Sequence, residues 1–235
     1  MRNYLTFAGR DSREFGIYIS GQGTFDAPER EYEFYSVPGR DGDLVGTSTR
    51  LKNRDLRYPA FIFQNFARNV AAWRDFLLHL TGYHKLSDSY HPEEYRMALY
   101  QGPFEPQVNE TNRAGQIDIV FNVQPQRWLL SGESVTAFVA DGSITNPTLF
   151  ASQPLMRVYG TGVLSVAGYE ITITEADGYT DIDCRSMDCF KGAENRNAFV
   201  EIEGNDFPVL PGGVSQISLG AGISRVEITP RWWRV

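Results

Sequence analysis

Apolar and polar positions alternate along most of the chain, and in one place the spacing lengthens to that of a helix. YLTF (residues 4–7) and FGIYI (15–19) alternate around the polar turn GRDSRE (9–14) and read as a strand pair. EYEFYSV (31–37) alternates again, with Tyr32, Phe34 and Ser36 on one face and Glu33, Tyr35 and Val37 on the other. AFIFQ (60–64) supplies a further strand. The period then changes. In NFARNVAAWRDFLLHLTG, apolar residues fall at Phe66, Val70, Trp73, Phe76, Leu77 and Leu80, which predicts one amphipathic helix over about 65–81. Asn65 is placed to cap its start, and Gly82 to end it as a left-handed C′ residue.

Beyond the helix, YRMALYQGPF (95–104) and GQIDIVFNVQPQRW (115–128) return to strand alternation, with TNRAG (111–115) as the turn between them. Pro125, lacking an N–H, stops the ladder. From Ser131 onward the texture differs. SVTAFVA, PLMRVYG, GVLSVAG, YEITITE, TDIDC, FVEIEG, SQISLG and RVEITPRWW arrive as short strands separated by AGYE, EADGYT, GND and LGAG turns. That rhythm predicts a β-sandwich. The expected class is mainly β with two domains, residues 1–135 carrying the helix and residues 136–235 forming the sandwich, and a boundary between Ser131 and Pro147.

Composition agrees with strands. Twelve tyrosines, 15 phenylalanines and four tryptophans suit a pleated surface on which rings pack well. No apolar run approaches the ~20 residues that cross a bilayer, so no membrane partner is expected. The first residues lack the apolar stretch of a signal peptide, which points to a protein retained in the cytoplasm that makes it. A net charge of −7 argues against nucleic-acid binding, which needs basic groups to displace counterions. Cys184 and Cys189 are the only cysteines, too few to close a four-ligand zinc site, and their spacing is not that of a CxxC redox pair. Two partly buried thiols are the plainer reading, with a short-loop disulfide as the other.

YSVPGRDGDLVG (35–46) is the stretch with the richest local chemistry. Asp41 and Asp43 flank Gly42 as in the start of a calcium loop, but the glycine falls between the acids and no Glu follows in range. Gly39, Gly42 and Gly46 do not have P-loop spacing, and the segment leads to more strand rather than to a helix. The chain has no G-x-S-x-G and no HExxH. The acids of DGYTDIDCRSMD (177–188) read as surface-turn groups. Trp232 and Trp233, adjacent on a strand, point to opposite faces, so at most one could join a flat sugar platform. No catalytic residue, cofactor or metal ligand is expected.

In order, FGIYI, VPGRDGDL (37–44), the helix with central Trp73, VFNVQPQRW, NPTLFASQPLMRVYGTGVLSV, TDIDC, GNDFPVLPGG and ITPRWW resemble the distal tail protein (Dit) family of long-tailed non-contractile phages. The resemblance runs nearly end to end. It implies an N-terminal β-barrel-like or β-sandwich domain with one helix, and a galectin-like C-terminal sandwich. It further implies a homo-hexameric ring in the virion tail tip, assembled from protein made in the host cytoplasm, from a phage or a prophage. That ring would be a baseplate hub with a channel for DNA, joining the tail tube protein to the tail-associated fibre or lysin and to receptor-binding proteins. Within it, Pro38, Gly39, Arg40, Asp41 and Gly42 form a tight turn, either at the subunit interface or purely within the chain. Glu29, Glu31, Glu33 and Asp43 are candidate lining acids, or ordinary solvated strand residues. The alternatives are a carbohydrate-binding module for host attachment and a hydrolase with an unrecognised carboxylate pair.

Overall fold

The structure, a computed structural model, describes residues 2–20, 26–46 and 50–235, with Asn205 described by its backbone alone. The chain divides into two compact units, residues 1–127 with Val235 and residues 128–234. Both are built from antiparallel strands, and α1 (Phe66–His79) is the single α-helix among the described residues.

The first unit contains β1 (Leu5–Phe7), β2 (Arg10–Asp11), β3 (Ile17–Ile19), β4 (Glu33–Tyr35), β5 (Leu44–Gly46), β6 (Arg54–Ile62), β7 (His84–Asp88), β8 (Glu94–Leu99), β9 (Gln107–Val108) and β10 (Gly115–Val123). Its main sheet runs β2-β1-β7-β8-β10-β6-β3, with β9 on the start of β10. Strict alternation in β10 buries Ile117, Ile119, Phe121 and Val123 on one face. Leu56, Tyr58, Ala60 and Ile62 of β6 join them. α1 covers this face with Phe66, Val70, Trp73 and Leu77, the stripe expected at helical spacing. Trp73 is fully buried, 4.9 Å from the Phe15 ring, and Phe15 stacks on Phe76 at 5.3 Å.

Five local expectations are corrected. GRDSRE is not a simple turn: it holds β2 and a 3-10 helix, Ser12–Phe15, closed by a capping box between Asp11 and Glu14. Asn65 precedes α1, but its backbone is left-handed (φ 52°) and its side chain makes no cap hydrogen bond. Gly82 does have positive φ (78°), yet the helix has already ended at extended Leu80. The TNRAG turn exists, held by Asn109 Oδ1 accepting from Arg113 N and Ala114 N, but it joins β9 to β10. β6 begins six residues before AFIFQ. Pro59 hid it from the sequence, because proline normally ends a strand. Here β3 stops at Ile19, and the Pro59 carbonyl accepts from Ser20 N at 2.7 Å.

In the second unit, after β11 (Arg127–Leu129), come β12 (Thr136–Phe138), β13 (Gly142–Asn146), β14 (Leu155–Gly160), β15 (Gly162–Val166), β16 (Tyr169–Ile173), β17 (Thr180–Asp183), β18 (Asp188–Lys191), β19 (Glu194–Asn195), β20 (Val200–Ile202), β21 (Gly213–Leu219), β22 (Ile223–Thr229) and β23 (Trp233–Arg234). Strands β12 to β22 form one sheet of order β12-β22-β14-β17-β18-β19 and another of order β13-β21-β15-β16-β20. Ile144, Leu164, Val166, Ile171, Ile173 and Ile217 of the second sheet share a core with Met156, Val158, Ile182, Val226 and Ile228 of the first. This is a two-sheet sandwich filled by alternate residues.

Candidate functional site: an exposed hairpin arm

Among the described residues β4 and β5 pair only with each other, in register Glu33↔Gly46, Phe34↔Val45 and Tyr35↔Leu44. The pairing continues below them through the Arg30↔Leu51 bridge and the Glu29–Lys52 (3.6 Å) and Glu31–Arg50 (3.2 Å) ion pairs. Charge thus lies at the base of the arm and apolar bulk toward the tip. Phe34 is 64% exposed and Val45 55%, and Tyr32, Tyr35, Val37 and Leu44 are exposed as well. The alternation of EYEFYSV predicts one buried face; here both faces of the arm meet solvent. A lone two-stranded hairpin is marginal in water, and a solvated row of rings and branched aliphatics marks a surface meant to be covered.

The candidate residues Pro38, Gly39, Arg40, Asp41 and Gly42 form the loop at the end of this arm, all exposed. Arg40 N donates to Val37 O at 3.2 Å across a turn in which Pro38 fixes one φ and Gly39 takes φ +81°. Gly42 reverses the chain again at φ +79°. Glu29 and Glu31 are the acids already paired at the base, and Glu33 accepts from Tyr35 Oη at 2.5 Å.

A second feature of the first unit is a cleft of about 400 Å³ on the solvent face of β6 and β10, lined by Pro59, Phe61, Val120, Pro103 and the Arg57–Asp118 pair. Under that sheet lies a buried polar group in which Tyr58 donates to Asp88 (2.6 Å) and Arg127 meets Glu94 (2.8 Å). Burial, with Arg54 and Arg127 nearby, pulls the Arg96 guanidinium down to about 10.

The acids of residues 177–188 do not converge. Asp181 is buried and bidentate to Arg157 (2.7 and 2.9 Å), so it is not a surface-turn residue. Asp183 holds Arg231, Asp177 holds Lys191, and Asp188 accepts from Asn197. Trp232 is buried, while Trp233 packs on Phe150 at 4.6 Å and donates Nε1–H to Ala151 O. Neither ring is set in an open platform. Cys184 and Cys189 are free and buried. Among the described residues no group of three or more His, Cys, Asp or Glu is placed to hold a metal ion, and no helix is long and apolar enough to cross a membrane.

What the sequence did not reveal is that the arm stands apart from the sheet. The signal for it was present in the charged positions Glu29, Glu31, Arg50 and Lys52, which pair across a ladder longer than either short strand.

A sheet-and-helix unit with a hairpin, followed by a two-sheet sandwich, is a fold that the chain shares with a solved phage tail protein. The chain matches SPP1 Dit (gp 19.1), described as a paradigm of the hub adsorption apparatus in Gram-positive-infecting phages, with a TM-score of 0.75 over 100% of both chains at 14% identity. The phage p2 baseplate, in its activated conformation with strontium, gives a TM-score of 0.48 at 10% identity over 96% of this chain and 97% of the other. No protein-family model matches the chain, and no curated protein matches it in sequence.

Proposed function

We propose that the protein is a non-enzymatic structural hub of a phage tail tip. In this reading six copies form a ring through residues 1–135, and residues 136–235 face the tail-tip partners. The ring has a channel for DNA and joins the tail tube to the tail-associated fibre or lysin and to receptor-binding proteins. The observation that carries the reading is the β4–β5 arm. It carries exposed apolar side chains on both faces and has no further strand partner among the described residues, and the fold that the chain shares with SPP1 Dit supports the hub role. An arm that meets a different surface of the next copy makes a heterologous contact, and such contacts close into a ring when the rotation divides a full circle. Pro38 to Gly42 then sit at the subunit interface, where Arg40 and Asp41 find charged partners on the neighbour.

The test is light scattering after size exclusion at several concentrations. Six copies of the 26.5 kDa chain give a particle of about 159 kDa, visible on a grid as a ring. A chain that stays at its monomer mass throughout, alone and with its tail-tube protein, would sink the reading.

A further inference from the structure

Strand β8 alternates cleanly, but its inward positions are not all apolar. Glu94, Arg96 and Ala98 share its buried face, so two charged side chains stand where apolar ones are expected. Two more arginines reach the same region. Arg54 opens β6 and Arg127 opens β11, and each side chain is only 12% exposed. Burial, with repulsion from those two, presses on the Arg96 guanidinium. At about 10 its pKa still leaves it charged at neutral pH.

The carboxylates nearby are already engaged. Glu94 pairs with Arg127 at 2.8 Å. Asp88 accepts from Tyr58 Oη at 2.6 Å, and from Tyr90 N and His91 N at 3.0 Å each. Arg54 meets Asp26 at 3.2 Å, but that carboxylate is 76% exposed and water screens it. Arg96, 7% exposed, makes no hydrogen bond and no ion pair among the described residues. Asp88 eases it through space only. Three guanidinium groups are thus held against two buried carboxylates, Asp88 and Glu94. A buried charge left without a partner is strongly destabilising.

A recess of about 10 Å³ adjoins Arg96, with Ser87, Asp88, His91, Glu94 and Arg127 also in its wall. That is room for one water-sized particle. Phosphate, sulfate and carboxylate ligands are too large for it. A water fits but brings no counter-charge, and a cation would be repelled by the arginines. What remains is small, single and negative.

We propose that the recess binds one monatomic anion, a halide such as chloride, seated against the Arg96 guanidinium. The anion supplies the counter-charge that β8 lacks and lets the strand keep two ionic side chains on its buried face. It also braces β8 against Arg127 at the start of β11. The site belongs to the first unit alone and stands whether or not the chain forms a ring.

The experiment follows the thermal unfolding midpoint of the full chain while chloride replaces gluconate at constant ionic strength and protein concentration. Screening is then fixed, so specific binding alone moves the midpoint. The midpoint should rise by about 2–4 °C and then level off, as one saturable site requires. Arg96→Met should abolish the rise, whereas Arg68→Met, at an exposed arginine of α1, should keep it. A crystal of the parent grown in bromide should show anomalous density against the Arg96 guanidinium, a readout that does not need the variant to fold. Equal midpoints in the two salts would overturn the site and leave only water in the recess. A chloride effect that survives in Arg96→Met, or a crystal with no bromide at Arg96, would overturn it as well.

Discussion

The Cys184 and Cys189 side chains lie in the core of the sandwich, and burial above all pushes both thiols up to about 12. The neighbouring Asp183 carboxylate adds to the rise at Cys184, and Asp188 at Cys189. Since the thiolate is the reacting form, neither should react with a soluble disulfide reagent at pH 8 until the chain is unfolded, when both should. Rapid labelling of the folded protein would contradict this. Asp183 behaves in the opposite sense. Burial tends to raise its pKa, but bonds from Arg231 (2.6 and 2.9 Å), Arg185 N and Ser186 N outweigh that and hold it below 3.8. A carboxyl depressed by folding contributes stability above its unfolded pKa and loses it as pH falls through the folded value. Asp183→Asn should therefore cost about 2 kcal/mol at pH 7 in denaturant unfolding. The gap between variant and parent should close below about pH 4. A gap independent of pH would mean that the carboxylate charge plays no part.

At the scale of elements, buried Asn146 ties down the connection after β13, donating from Nδ2 to Phe150 O (2.9 Å) and Leu210 O (3.0 Å) and accepting from Thr148 N (2.9 Å). Asn146→Ala strips Thr148 N and Leu210 O of their side-chain partners in a buried setting. It should cost about 2–3 kcal/mol and loosen residues 146–151, read as faster amide exchange there than in β14. Unchanged exchange would show that packing of Phe150 on Trp233 suffices. Elements were legible in the sequence where one face is buried. α1 shows its stripe because the sheet lies on one side of it, and β10 alternates because its two faces differ so sharply. Legibility fails where another rule competes. Pro59 masks the first half of β6, whose ladder tolerates it only because β3 ends beside it. The capping box of Asp11 and Glu14 was readable at its spacing, but a four-residue 3-10 helix is too short to show a period. The β4–β5 arm is the opposite case. Its alternation resembles that of a half-buried strand, and among the described residues no surface of its own chain covers it.

For the molecule as a whole, that missing surface is the strongest claim on a second copy. Phe34 and Val45 are cross-strand partners on one face of the arm, and Tyr35 and Leu44 on the other, all solvated. Burying such side chains releases about 1.5–3 kcal/mol each, so one face alone can decide whether a ring holds at micromolar concentration. Phe34→Asp with Val45→Asp should leave the unfolding midpoint of the chain nearly unchanged, because neither side chain packs in a core. Its mass should fall from about 159 kDa to that of one 26.5 kDa chain. Arg40→Ala, at the loop beyond them, tests the interface version of the turn. If Arg40 pairs only with a neighbour, it should weaken assembly more at low salt than at high, since screening already discounts an exposed pair. If the double aspartate variant still forms the full ring, the arm is not the contact, and the cleft beside Phe61 and Val120 becomes the next surface to substitute.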